Sequence, residues 1–108
     1  MIMENQRMEN IYEEALATWG PKPQIAMVAE EASELATAAL HVLRDRDAIN
    51  ELAEEAADVE IMLAHLRVLI GEQIDEQKTR KLARLRKTLN KVNHVFLDSE
   101  DDVKRMAG

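Results

Sequence analysis

"AEEASELATA", residues 29–38, sets Glu30, Glu31 and Glu34 in a small apolar segment with no lysine or arginine nearby. "LAEEAADVEIML", residues 52–63, repeats the arrangement with Glu54, Glu55 and Asp58. Both stretches are rich in Ala, Leu and Glu, which are strong helix formers. At 100° per residue, Glu31 and Glu34 fall about 60° apart, on the side of Met27 and Ala38 and next to Val28 and Leu35. They therefore border the apolar face, while Glu30 lies further round towards solvent. The same spacing puts Glu55 and Asp58 on the stripe of Leu52, Val59, Met62 and Leu66. Each helix thus offers a carboxylate pair at the edge of its buried face. An antiparallel hairpin of the two would bring the pairs face to face.

The rest of the chain agrees with an all-helical fold. It has 108 residues, 3% of them aromatic, with 3 Gly and 2 Pro. This length fits one domain, residues 1–108, with a core over about 5–93 and a short helix or tail at 94–108. A chain this short buries a modest core alone, so a partner subunit is a natural supplement. It has no cysteine, hence no disulfide framework and no thiolate metal site. No apolar run approaches the roughly 20 residues of a membrane span, and "MIMENQRMEN" lacks the regions of a signal peptide. A cytoplasmic protein with no membrane partner is expected. The net charge of −7 is unevenly spread. Residues 30–60 carry ten acidic and two basic side chains, and residues 67–94 carry three acidic and eight basic ones. Such a split could hold metal ions and an anion between its halves.

Helical periodicity predicts a four- to five-helix bundle. The first helix covers about 4–18, with Met8, Ile11, Tyr12, Ala15, Leu16 and Trp19 on one stripe, and Gly20-Pro21 stops it. The second starts near Pro23 or Gln24 and ends near Leu43, with Val28, Ala32, Leu35, Ala39 and Leu43 facing the core. "RDRD" (44–47) is a polar turn with Asp47 as candidate N-cap. The third helix runs to about Ile70 on Leu52, Ala56, Val59, Leu63, Leu66 and Ile70, and Gly71 ends it. The fourth covers 73–93, with Ile74, Leu82, Leu85, Leu89 and Val92 inward. A last short helix would be capped at Asp98 or Ser99. Short connections favour antiparallel neighbours.

Four carboxylates brought together repel and lose hydration. At neutral pH they take up protons or are neutralised by cations. Oxygen-only donors suit a hard ion, Mg²⁺ or Mn²⁺, which usually keeps waters and binds substrate phosphates. Solvated helix faces are the bland reading, and it fits Glu30 and Glu54 best. It fits Glu31, Glu34, Glu55 and Asp58 less well. Surface acids are commonly offset by Lys or Arg at i+4, and here those positions hold Leu35, Ala38, Val59 and Met62. A di-iron bundle would need Glu-x-x-His motifs. The residues three before His41, His65 and His94 are Ala38, Met62 and Lys91, so redox iron drops away.

"EEASE", a gap of twenty residues, then "EAAD" resembles the Glu-Glu-x-x-Glu … Glu-x-x-Asp signature of the MazG-like all-α nucleoside triphosphate pyrophosphohydrolases. "WGPKPQIAMVAEEASEL", "LAEEAADVEIMLAHL" and "KLARL" (81–85) resemble segments of the small phage and bacterial members. The likeness covers roughly residues 16–90. It implies hydrolysis of an NTP or dNTP between the α- and β-phosphates, giving the monophosphate and pyrophosphate. By the same likeness Glu31, Glu34, Glu55 and Asp58 match Mg²⁺ ligands, with Mn²⁺ a possible substitute. Glu30 matches the leading glutamate, a candidate to assist the metals or the attacking water. Glu30 and Glu34 are the catalytic candidates. The family's members are dimers or tetramers, so a homodimer or homotetramer is expected. Metal-assisted hydrolysis needs neither a Ser-His-Asp nor a Cys-His arrangement, and no glycine-rich phosphate loop is present.

Cations for the outer phosphates come from "QKTRKLARLRKTLNK". Lys81 and Arg84 match the family segment, and Lys78 lies one turn before Lys81. The bland reading is a solvated basic face. Stacking aromatics for nucleic acid are missing from it. Trp19 reads first as core, with stacking on a base as the alternative. Gln24, two turns before Glu31, either bonds a base or sugar or starts its helix. His41, Asn90 and Asn93 are weaker candidates, and His41 reads as a partly exposed helix residue. Rival readings are a non-catalytic acidic helical dimer, an interaction module, and the same metal chemistry on another diphosphate or an alarmone.

Overall fold

Among the residues described, three helices follow one another: α1 (Ile2–Trp19), α2 (Pro21–Arg44) and α3 (Ile49–Leu97), with a 3-10 turn at Arg46–Ala48. The structure is a computed structural model. It describes the backbone of residues 2–97 and the side chains of residues 11–45 and 47–93. There is no strand among them. Met8 of the first expected stripe, and the short last helix with its caps at Asp98 or Ser99, lie outside the described side chains and backbone respectively.

Gly20 separates α1 from α2 for a backbone reason. Its amide donates to the Leu16 carbonyl at 2.8 Å, closing α1. Its φ of 82° and ψ of 172° belong to a region that residues with a Cβ rarely adopt. Pro21 then opens α2, where its missing N–H is no loss. The helix therefore starts before Pro23 and Gln24, where periodicity places it. At the other end, the Asp45 amide donates to the His41 carbonyl at 2.7 Å. The Asp45 carboxylate accepts from the Asp47 amide at 3.0 Å. Asp45 is thus the cap of the turn, and the expected Asp47 is the residue it caps.

The expected third and fourth helices follow one another within α3, with a break between them at the expected place. Ile70 leaves helical dihedrals at φ −135°, ψ 31°. Gly71 does not take the left-handed conformation that ends a helix; among the described glycines only Gly20 has a positive φ. Helical geometry therefore resumes directly, with no loop at 71–73. The chain divides there into two compact units, Met1–Gly71 and Glu72–Gly108.

In the first unit, α2 and the first part of α3 make an antiparallel hairpin. Gln24 and Met27 share a cavity with Met62 and His65. Further along, Glu31 and Glu34 meet Glu55, and His41 meets Glu51 at 3.1 Å. The partners run in opposite sequence directions, which fixes the orientation. From α1, Tyr12 sets its ring edge-on to His65, with centroids 4.9 Å apart. The buried apolar residues are small or unbranched: Ala15, Ala38 and Met62. Ala38 has no exposed surface at all. Leu16, Val28, Leu35, Ala39, Leu52, Ala56, Val59 and Leu66 are half-buried. Ile11, Ala32, Leu43, Leu63 and Ile70, expected on core faces, are exposed. Leu43 is the extreme at 82%, one residue before α2 ends.

The second unit, described through Leu97, is helical. Glu76 pairs with Arg80 one turn on at 3.1 Å, a spacing worth about 0.2–0.5 kcal/mol to an isolated helix. Leu82, Leu85, Leu89 and Val92 were expected to face inward and are exposed. They do form the stripe that their spacing predicts, but it is uncovered. Ile74 is half-buried. No helix of the described residues is long and apolar enough to cross a membrane.

Candidate metal centre

Glu31 and Glu34 sit on α2 one turn apart, and Glu55 reaches them from the first part of α3. One carboxylate oxygen from each lies within 4.8 Å of the others. Glu31 and Glu55 are half-buried and Glu34 is exposed. Ala38, fully buried, lies one turn beyond Glu34, and the half-buried Ala56 follows Glu55.

The electrostatics of the cluster are unfavourable without a cation. The Oε2 atoms of Glu31 and Glu55 are buried and have no hydrogen-bond partner. Loss of water raises the Glu31 carboxyl above its ordinary value, and the charge of Glu34 adds to it, followed by Asp58, a hydrogen bond with Glu34, and Glu30. Glu55 is raised by loss of water first, then by its hydrogen bond with Glu34 and by the charges of Glu34, Asp58 and Glu31. Each effect favours the protonated form. A group of buried acceptors without donors is a poor internal network and a good set of hard-cation ligands. These residues fit Mg²⁺ or Mn²⁺ on that ground.

The sequence-derived set is brought together in part. Glu31, Glu34 and Glu55 form the close group. Asp58 is exposed and outside that group, yet near enough for its charge to act on both half-buried carboxyls. Glu30 and Glu54 are exposed, as their outward positions predict. Beside the group lies a polar cleft of about 230 Å³ lined by Ser33, Glu34, Thr37, Glu51 and Glu55. Lys78, Lys81 and Arg84 are exposed on α3 within the second unit, whereas the carboxylates belong to the first.

Trp19 is not core: it is 64% exposed. It ends α1, and the chain turns at Gly20 before another helix can cover it. Gln24 does not start its helix. It is buried in the first turn of α2 with its Oε1 unpartnered. Both line a cavity of about 360 Å³ with Pro23, Met27, Met62 and His65. His41 is half-buried and its Nδ1 meets both carboxylate oxygens of Glu51, at 3.1 and 3.3 Å. His65 is the residue that sequence reasoning missed. It was weighed only for an iron motif, yet it lies seven residues after Asp58, two turns along the same face. That spacing was a usable signal. No family model, no curated protein and no solved structure matches this chain.

Proposed function

We propose that this chain is a Mg²⁺-dependent nucleoside triphosphate pyrophosphohydrolase of the MazG-like all-α type, working as a homo-oligomer. It would cleave an NTP or dNTP between the α- and β-phosphates. The observation that carries the reading is the cluster of Glu31, Glu34 and Glu55, with two buried carboxylate oxygens that lack any partner. The family motifs supply the reaction class.

In this reading Glu31, Glu34, Glu55 and Asp58 hold the metal. Bound Mg²⁺ supplies charge neutralisation on the phosphates and activation of a water. The half-buried Glu31 and Glu55 fix the site against the hairpin, and the exposed Glu34 and Asp58 face the substrate side. Glu30, exposed beside Glu31, would border the site and assist the metals or the attacking water. Lys78, Lys81 and Arg84 bind the outer phosphates. Little covalent help from the protein is needed for such a transfer.

Self-association is supported by the uncovered stripe of Leu82, Leu85, Leu89 and Val92. An isolated helix of this kind gains most of its stability from packing. A second copy would cover the stripe, and would let basic residues of one chain serve carboxylates of another.

The test is a panel of NTPs and dNTPs with Mg²⁺ and with Mn²⁺, reading pyrophosphate against orthophosphate. Pyrophosphate release is expected, and Glu34→Gln should lower it by roughly 100-fold or more with helicity intact, since even the outer partners of metal ligands cost 10–100-fold. If no nucleotide of the panel yields pyrophosphate, the chain is not this enzyme.

A further inference from the structure

We infer that the cavity at the α1–α2 junction holds the base of the nucleotide, and that Gln24 and His65 select a base presenting two adjacent N–H donors. This rests on the pyrophosphohydrolase reading and adds to it the specificity of the site.

The cavity, about 360 Å³, is lined by Trp19, Pro23, Gln24, Met27, Met62 and His65. Mostly apolar walls with a few placed polar groups are what a small-molecule site requires. Gln24 is only 5% exposed, and its Oε1 is buried without a hydrogen-bond partner. A buried acceptor left unpaired is costly unless a ligand supplies the donor. His65, 8% exposed, has its Nδ1 2.8 Å from the Ile61 carbonyl. A carbonyl only accepts, so Nδ1 carries the proton and Nε2 of the neutral ring is an acceptor. The edge-on Tyr12 ring, 4.9 Å away, holds the imidazole in place. Two of the lining side chains thus offer acceptors.

The position suits a nucleotide. Met27 precedes Glu31 by four residues, and Met62 follows Asp58 by four. Along α2 the cavity is therefore one helical turn, about 6 Å, from Glu31; along α3 it is one turn from Asp58 and two turns, about 10 Å, from Glu55. A ribose bridges that span between base and α-phosphate. Trp19, largely exposed at the rim, offers a flat face for stacking. The Gln24 oxygen is closed off from water, so a ligand donor reaches it as the lining side chains shift. Among the common bases, guanine presents two donors side by side, at N1 and N2.

The experiment is titration of the protein with guanosine, inosine, adenosine, cytidine and uridine in metal-free buffer. Quenching of Trp19, the sole tryptophan, reports binding without any hydrolysis. Guanosine should bind tightest, and inosine, lacking the N2 donor, at least roughly tenfold more weakly, the loss of one hydrogen bond. Gln24→Leu should remove the preference for guanosine while leaving the fold intact by thermal melting, because it replaces an unpaired buried polar group by an apolar one. His65→Phe, which keeps a ring against Tyr12, should do the same. The inference is overturned if no nucleoside quenches Trp19, if guanosine is not preferred, or if Gln24→Leu retains the preference. Pyrophosphate release is read separately on the same protein. Hydrolysis without base preference would sink this inference alone. Guanosine preference without hydrolysis of any NTP would sink the enzyme reading and leave the pocket.

Discussion

The stripe of Leu52, Val59 and Leu66 and the stripe of Leu82, Leu85, Leu89 and Val92 read alike in sequence. In the structure the first is half-buried against α2 and the second is exposed. The charged residues differ in the same way. Glu31 and Glu55 lie between two helices and lose water there, whereas Lys78, Lys81 and Arg84 stay exposed. Periodicity states which face of a helix is apolar. Whether anything covers that face depends on what the chain folds back against it.

Covering the second stripe with another copy is the strongest way to remove this contrast. Leu85→Glu should then weaken association by roughly 10- to 100-fold, from loss of about 1.5–3 kcal/mol for a buried leucine. Light scattering across a dilution series would read it. An unchanged mass would show that the stripe is not an interface. In the first unit, the tight junction at Gly20 separates α1 from α2. Gly20→Ala should cost about 1–3 kcal/mol in a urea melt, because its backbone geometry is almost confined to glycine. An added Cβ meets nothing within 4 Å, so the cost is conformational alone, and a neutral result would mean that the junction relaxes.

The smallest effect sharpens the electrostatic half. Glu31 and Glu55 hold their protons more tightly folded than unfolded. The metal-free protein therefore loses stability as pH rises from the ordinary carboxylate value through the raised ones. Mg²⁺ should flatten that loss, and Glu31→Gln should reduce it without Mg²⁺. Melting temperature against pH, with and without Mg²⁺, checks both. A Tm that rises with pH across that window in metal-free buffer would contradict the arrangement of the cluster.

Much of the hairpin was legible beforehand. The i, i+3 spacing of Glu31 with Glu34, and the outward place of Glu30, follow from helical geometry alone. The break expected at Ile70–Gly71 is present, at Ile70, although Gly71 does not take the positive φ of a common helix end. Two readings went wrong for local reasons. Asp47 reads as a cap, but the capping carboxylate is that of Asp45, which accepts from the Asp47 amide. Trp19 looked like core because aromatics usually dominate burial, and the turn at Gly20 left it at a cavity rim. The spacing of His65 from Asp58 is legible in the sequence, whereas its meeting with Tyr12 of another helix is not.

By itself, then, the sequence determined that this protein is helical, that α2 and the start of α3 each carry carboxylates at the border of an apolar face, and that basic residues gather beyond residue 67. Those are properties of residue type and of a 3.6-residue repeat, both local. Tertiary structure decided that Glu31, Glu34 and Glu55 offer oxygens within 4.8 Å of one another, with Asp58 outside that group but near enough to act on it. It also decided that Gln24 and His65 share a cavity. Such meetings depend on the register in which two helices pair, which no single segment specifies.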